Sequence, residues 1–212
     1  MRIAIIGSGN VGTALATSTV RAGHAVTIAS ADPEGAAATA RATGARSAAS
    51  NKEAVAAADA VILAVPTPAL DALVSELGQA LDGKIVIDVT NRVNPQDPGS
   101  VLDGNSNAER IQARLPNARV VKAFNTAFAA RQADPAVDGM QLDGFVAGDD
   151  VSAKAAVLDL VRSMGFRPID AGPLAMARVL EGMALLNISL QIWNNWPWQT
   201  GWKLVGPTGQ GA

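Results

Sequence analysis

Six residues near the start of the chain, Gly7, Ser8, Gly9, Asn10, Val11 and Gly12, have the types and spacing that hold a pyrophosphate. Ile3 to Ile6 ahead of them form a short apolar run of strand character, and Thr13 to Arg21 behind them follow a helical pattern. In that context Gly7 makes a tight turn, Gly9 lets backbone amides approach the anion, and Gly12 lets helix and strand pack closely. The anion then rests on the positive end of the helix. The chemistry predicted for this stretch is the binding of a dinucleotide.

The rest of the inventory narrows what could be done with it. The chain has no tyrosine and no cysteine, so a Tyr-x-x-x-Lys proton relay, a thiolate nucleophile and a thiolate zinc site are all ruled out. Its single histidine, His24, falls in the turn before the second strand. That is the sheet edge away from the ligands of open α/β folds, so no catalytic role is assigned to it. Hydride chemistry would have to proceed with little side-chain proton transfer, or with Lys, Asp or solvent. Asp149 and Asp150 precede a helix and read as caps; no metal site is expected, because no further ligands lie at metal spacing.

Around these residues the composition is that of a folded domain: 212 residues, 49% hydrophobic and 17% charged. A net charge of -2 gives no basic field for nucleic acid or an anionic membrane. The longest apolar stretch, 174–192, is interrupted by Arg178 and Glu181, so no membrane span is expected, and the cytoplasm fits the lack of cysteine. The expected fold is α/β: a Rossmann-type, doubly wound, mostly parallel sheet with a C-terminal helical, Trp-rich tail. Residues 1–173 form the dinucleotide-binding domain, and 174–212 form a helix and tail packed on it or on a partner subunit.

The strands place the remaining candidates. Strand 25–29 ends at Ser30, Ala31 and Asp32, where such folds choose between NAD and NADP; Asp32 reads either as a ribose acceptor or as the cap of the helix that Pro33 opens. Arg46 and Lys52 are the nearest cations that could reach a 2′-phosphate. Strand 60–65 exits through Val65, Pro66 and Thr67, expected to wall the ribose and nicotinamide, into a helix over 69–81. Strand 84–89 brings Asn91 to the ligand edge, and 92–104 reads as a lid or a surface excursion. Strand 119–124 delivers Asn125 and Thr126, with Lys122 either helping an acceptor ring or serving as a salt-bridge partner. A strand at 144–147, a helix at 151–164 and an edge strand at 166–170 lead to a long amphipathic helix over 174–192. Trp193, Trp196, Trp198 and Trp202 follow, a belt that reads as core, as a homodimer interface or as a stacking wall for a flavin-like ring.

With the stretches 6–12, 121–126, 148–150 and 170–174 and with Arg178 and Glu181 in view, the chain resembles the F420-dependent NADP oxidoreductases and their bacterial and membrane-reductase relatives. The resemblance spans almost the whole chain. It implies hydride transfer between NADP(H), with NAD possible, and a deazaflavin (F420) or a flavin (FMN or FAD). It also implies that the turns Asn125, Thr126, Ala127 and Gly172, Pro173, Leu174 border the acceptor pocket. The archaeal members carry Ser-Arg where this chain has Ser30-Ala31, which weakens the 2′-phosphate clamp, and a histidine where it has Asn125, which leaves the acceptor open. Two other readings remain: reduction of a small imine or carbonyl compound, and a non-catalytic NADP(H)-sensing module.

Overall fold

The structure is a computed structural model and describes residues 1–94, 96–101, 104–206 and 208. Eight strands, β1 (Arg2–Ile6), β2 (Ala25–Ala29), β3 (Arg46–Ser47), β4 (Ala60–Leu63), β5 (Ile85–Asp88), β6 (Arg119–Ala123), β9 (Asp143–Gly148) and β10 (Arg167–Gly172), form one sheet. Its order is β10-β9-β6-β5-β4-β1-β2-β3. The strands from β3 across to β6 are parallel, while β9 runs antiparallel to β6 and β10 follows the direction of β9. A small hairpin, β7 (Ala136–Val137) and β8 (Met140–Gln141), precedes the reversal. The helices are α1 (Asn10–Arg21), α2 (Pro33–Thr43), α3 (Asn51–Ala56), α4 (Thr67–Leu77), α5 (Asn107–Arg114), α6 (Ala129–Ala133), α7 (Val151–Ser163) and α8 (Ala177–Asn194).

The two-residue period of a strand sends alternate side chains to opposite faces. Ile3 and Ile5 pack with Leu15 and Val157 in one layer, and Ala4 and Ile6 pack with Leu70 and Val74 in the other. This double coverage is why the central strands read as continuous apolar runs. The doubly wound, mostly parallel sheet expected from the sequence is the one observed.

Several local expectations are corrected. The helix after β4 begins at Thr67, two residues early, because Pro66 is extended and Pro68 has its φ fixed in the first turn. It ends at Leu77 and passes into a 3-10 turn over Gly78–Leu81. The irregular stretch 92–104 carries a 3-10 turn at Pro98–Val101; residues 95, 102 and 103 lie outside the described residues. Helix α6 and the β7–β8 hairpin were not expected.

The expected helix is present and buries Ala177, Leu180, Ala184 and Leu185, but polar residues share that buried face. A 3-10 turn, Leu174–Met176, precedes α8, whose buried face carries Glu181, Asn187, Ser189 and Gln191. Its outward face carries Val179, Leu186 and Trp193. Nor do the tryptophans form one belt. Trp202 packs near Phe145 and Leu180, Trp198 sits edge-on to Phe128 at 5.4 Å, and Trp193 is exposed.

The tail is strapped to the sheet through Asp143, which is fully buried. Arg167 Nε and Nη2 donate to its carboxylate at 2.6 and 2.7 Å, the Leu204 amide donates at 2.6 Å, and Lys203 lies at 3.4 Å. Burial raises the Asp143 pKa, but the Arg167 and Leu204 hydrogen bonds outweigh it and hold the carboxyl below its ordinary value. An Asp143→Ala variant should lose about 2–3 kcal/mol at neutral pH in urea unfolding, less than a fully buried pair because the cations reach solvent. A depressed carboxyl pKa contributes stability above the unfolded value, so the gap between wild type and variant should narrow as pH falls below about 4.

Candidate functional site

Helix α1 opens at Gly9 without a side-chain cap and with no acid in its first turn, whereas Asp32, Ser50, Ser106 and Asp150 cap α2, α3, α5 and α7. Its first amides have no side-chain partner, as in α4 and α6, and α1 alone of the three opens on the glycine loop. The three glycines have different reasons to be glycine. Gly7 has φ +124°, and a Cβ there would overlap the Ala64 carbonyl; a Cβ on Gly12 would overlap the Gly7 carbonyl. At Gly9 a Cβ would meet no protein atom and would project into open space. That combination, packed glycines below and a clear approach above uncapped amides, is the room a pyrophosphate needs.

The loop lies at the centre of a continuous groove along the C-terminal ends of the parallel strands. Three adjoining hollows of about 390, 350 and 220 Å³ compose it. The first holds Gly7, Ser8, Gly9, Ser30 and Ala31 with Val65 and Pro66. The second shares Gly9, Val65 and Pro66 and adds Asn10, Val11, Thr67 and Asn91. Val11 and Asn91 lead into the third, with Asn125, Thr126 and Ala127, and with Phe128, Ala184, Ile188 and Trp198 closing it. Gly12 sits beneath the loop. Asp32 lies at the mouth, its carboxylate accepting from the Gly35 amide at 3.0 Å as the cap of α2. The sequence left Asp32 open between two readings, and the cap is the one its contacts match.

The floor of the second and third hollows is a polar network. Asn91 Nδ2 donates to the Asn125 carbonyl, and Asn125 Nδ2 donates to Asn91 Oδ1 and to the Leu180 carbonyl on α8, each at 2.9 Å. Thr67 Oγ1 donates to the Asn91 carbonyl at 2.8 Å, and Asn107 Nδ2 donates to the hydroxyls of Thr67 and Thr90. Phe124 leaves β6 with φ +63°, which ends the strand and turns Asn125 toward α8.

Lys122 does not join the groove, which corrects its assignment beside an acceptor ring. Its side chain is fully buried, and its ammonium donates to Asp88 Oδ2 at 2.8 Å, the Thr90 carbonyl at 2.5 Å and Glu181 Oε1 at 2.9 Å. All three N–H bonds are used.

Gly172, Pro173 and Leu174 do not line the three hollows. Because β9 and β10 are antiparallel to the rest, the chain leaves β10 heading away from the rim that carries the glycine loop. Five strand positions separate β10 from β1, roughly 24 Å at about 4.8 Å per strand. Pro173 and Leu174 line a separate shallow cleft with Glu109, Gln112 and Asp149. There Asp149 accepts from the Leu174 amide at 2.8 Å while Asp150 alone caps α7. His24 lies at the far rim, near the N-terminal amine and Ser163 Oγ.

Sequence reasoning missed Ala184, Ile188 and Phe128 as lining residues and Glu181 as their anchor. One signal was available: Glu181, Ala184 and Ile188 stand at i, i+3 and i+7, one helix face, with an acid in an otherwise apolar run.

A doubly wound sheet with an uncapped glycine loop at its switch point defines a dinucleotide-binding protein of the Rossmann class. Residues 2–92 match the family described as NADP oxidoreductase, coenzyme F420-dependent. The F420-dependent NADP reductase of Methanothermobacter marburgensis is 33% identical over 213 residues, covering 92% of this chain and 94% of the reductase. Metalloreductase STEAP3 of Rattus norvegicus is 35% identical over 189 residues, covering 87% of this chain. The chain spans only 36% of that metalloreductase, and 21% of metalloreductase STEAP2 of Homo sapiens. The crystal structure of a candidate F420-dependent NADP-reductase from Arthrobacter sp. FB24 superposes with a TM-score of 0.84 at 29% identity, covering 97% of this chain and all of the other. The chain belongs to the family of coenzyme F420-dependent NADP oxidoreductases.

The glycine geometry separates folding from binding. Gly9→Val should cost about 1 kcal/mol or less in stability, the difference between caps, yet weaken NADP⁺ binding at least about tenfold by filling the phosphate approach. Gly12→Ala should instead cost about 2–3 kcal/mol in thermal or urea unfolding, because its methyl meets backbone.

Proposed function

We propose that this chain is an NADPH-dependent oxidoreductase that transfers hydride between NADP(H) and a deazaflavin (F420) or flavin ring. The observation that carries the reading is the groove. It runs from Ser30 past the glycine loop and ends in a hollow of about 220 Å³ between the Asn125 turn and α8, to which the reading assigns the reacting rings. Gly7, Ser8, Gly9, Asn10 and Val11 hold the pyrophosphate, over Gly12; Ser30, Ala31 and Asp32 border the adenosine ribose. Val65, Pro66, Thr67 and Asn91 flank the nicotinamide side. Asn125, Thr126 and Ala127 form the floor at the reacting end, with Asn125 the residue placed against the rings.

When bound, NADPH supplies a hydride, two electrons with one proton, to the acceptor ring; a further proton from solvent completes the reduced acceptor. The chain's own contribution is to align the rings and exclude water. Phe128, Ile188 and Trp198 supply apolar walls, and the Asn91–Asn125 pair keeps the floor rigid. None of the residues lining the third hollow is ionisable, so no side-chain acid stands at the reacting end.

Among the described residues no helix is long and apolar enough to cross a membrane. The reading places the protein in the cytoplasm as a homodimer. Val179, Leu186 and Trp193 recur every seven residues along the outward face of α8, with Trp193 69% exposed. A stripe of this kind is the sort of surface a second subunit covers. Light scattering should give twice the 21.6 kDa chain mass, and Leu186→Asp should give a monomer; a monomeric wild type would refute the assembly.

Following NADPH oxidation with F420, FMN, FAD and a panel of carbonyl and imine compounds tests the activity. Turnover is expected with a ring acceptor, at a kcat that stays within about twofold from pH 6 to 9 because no lining group titrates there. Turnover only with small carbonyls or imines would replace the reading with the reductase alternative. NADPH binding without any turnover would leave a sensing module.

A further inference from the structure

The adenosine end of the groove is lined by the hydroxyls of Ser8 and Ser30, the Asn51 amide and one carboxyl side chain, Glu76. Of the residues lining the first hollow, Glu76 is the single ionised one. Asn51 Nδ2 donates to both its oxygens, at 3.1 and 3.3 Å, which fixes the Asn51 amide with its oxygen as the remaining polar atom. Beside it the N-terminus of α2, an anion seat by its dipole, is already occupied by the Asp32 carboxylate. A side chain on Gly35 would meet both that carboxylate and Ser8 Oγ, so these groups crowd one corner of the hollow. Glu34 adds a second acid to the first turn of α2. Ser30 Oγ accepts from the Asp32 amide at 3.1 Å, leaving its hydroxyl proton as the donor offered.

A 2′-phosphate brings close to two negative charges and needs donors, above all a cation; a 2′-hydroxyl needs an acceptor. Residue 31, at the end of β2, is alanine. Arg46, one of the cations that the sequence offered, lines a different cavity at the far rim with Arg2 and His24. Lys52 is exposed and is not among the residues of the first hollow.

We infer that this groove does not select for the 2′-phosphate: NADH and NADPH bind with similar affinity, and Ala31 and Glu76 are the residues that set the ratio. The inference deepens the proposed function and rests on its dinucleotide site. Calorimetric titration of the full chain tests it with two matched pairs of probes, NADH against NADPH and 5′-AMP against 2′,5′-ADP. Each pair should differ by less than about tenfold in Kd. Ala31→Arg should raise the NADPH-to-NADH affinity ratio by about tenfold or more, and Glu76→Gln should move it the same way by a few-fold, through removal of one repulsive charge. A wild-type preference for either dinucleotide above about tenfold, or an unchanged ratio in Ala31→Arg, would overturn the inference while leaving the dinucleotide site standing. Binding of neither NADH nor NADPH would instead remove the site on which it rests.

Discussion

A single buried ammonium ties the groove together. Lys122 has no solvent access, and an unpaired charge in that position would cost several kcal/mol, so its three partners are obligatory. They come from β5 (Asp88), the turn after it (Thr90) and α8 (Glu181). Glu181 also accepts the Asn107 amide at 2.9 Å, at the start of α5, and Arg92 Nε stands 3.8 Å from its other oxygen. One carboxylate therefore fixes α8 against β6, α5 and the exit of β5. Helical geometry does the rest, since Ala184 and Ile188 lie on the face of Glu181 and are delivered to the groove. The Leu180 carbonyl, one residue before the anchor, receives the Asn125 amide. The third hollow is thus held in place by Lys122 and Glu181, which do not line it.

The reversal at β9 is the second constraint. Gly172 lies level with Lys122 and Ile6 across the sheet, but the chain leaves β10 heading away from that rim, and of the segment that follows β10, α8 and Trp198 line the groove. The C-terminal segment contributes through the middle of its helix and through Trp198. Asp143 holds the end of the same segment by its bonds to Arg167 and the Leu204 amide.

Local patterns made the first two-thirds of the sheet legible in the sequence. Apolar runs marked β1, β4 and β5, the three glycines located the uncapped start of α1, and Pro66 marked the start of α4 to within two residues. Strand direction was not legible, because the side-chain period of β9 is the same whichever way it runs; only the short β7–β8 hairpin announces the turn, and its strands are two residues each. Lys122 was ambiguous for a different reason. Its partners stand 34 and 59 residues away, and no spacing rule links them. Helix α8 was legible only in part: Ala177, Leu180, Ala184 and Leu185 are buried as an amphipathic helix requires, but Glu181, Asn187, Ser189 and Gln191 are buried with them and Val179, Leu186 and Trp193 face out, so polarity does not divide its faces.

The central claim is that one groove, from Ser30 through the glycine loop to the Asn125 turn, holds the dinucleotide. Backbone amide NMR shifts of the 21.6 kDa chain titrated with NADP⁺ address it directly. The account predicts saturable shifts at Gly9, Asn10, Val11, Thr67, Asn91 and Asn125, with Gly172 and Leu174 unmoved. Shifts concentrated at Gly172 and Leu174, with the glycine loop silent, would contradict it.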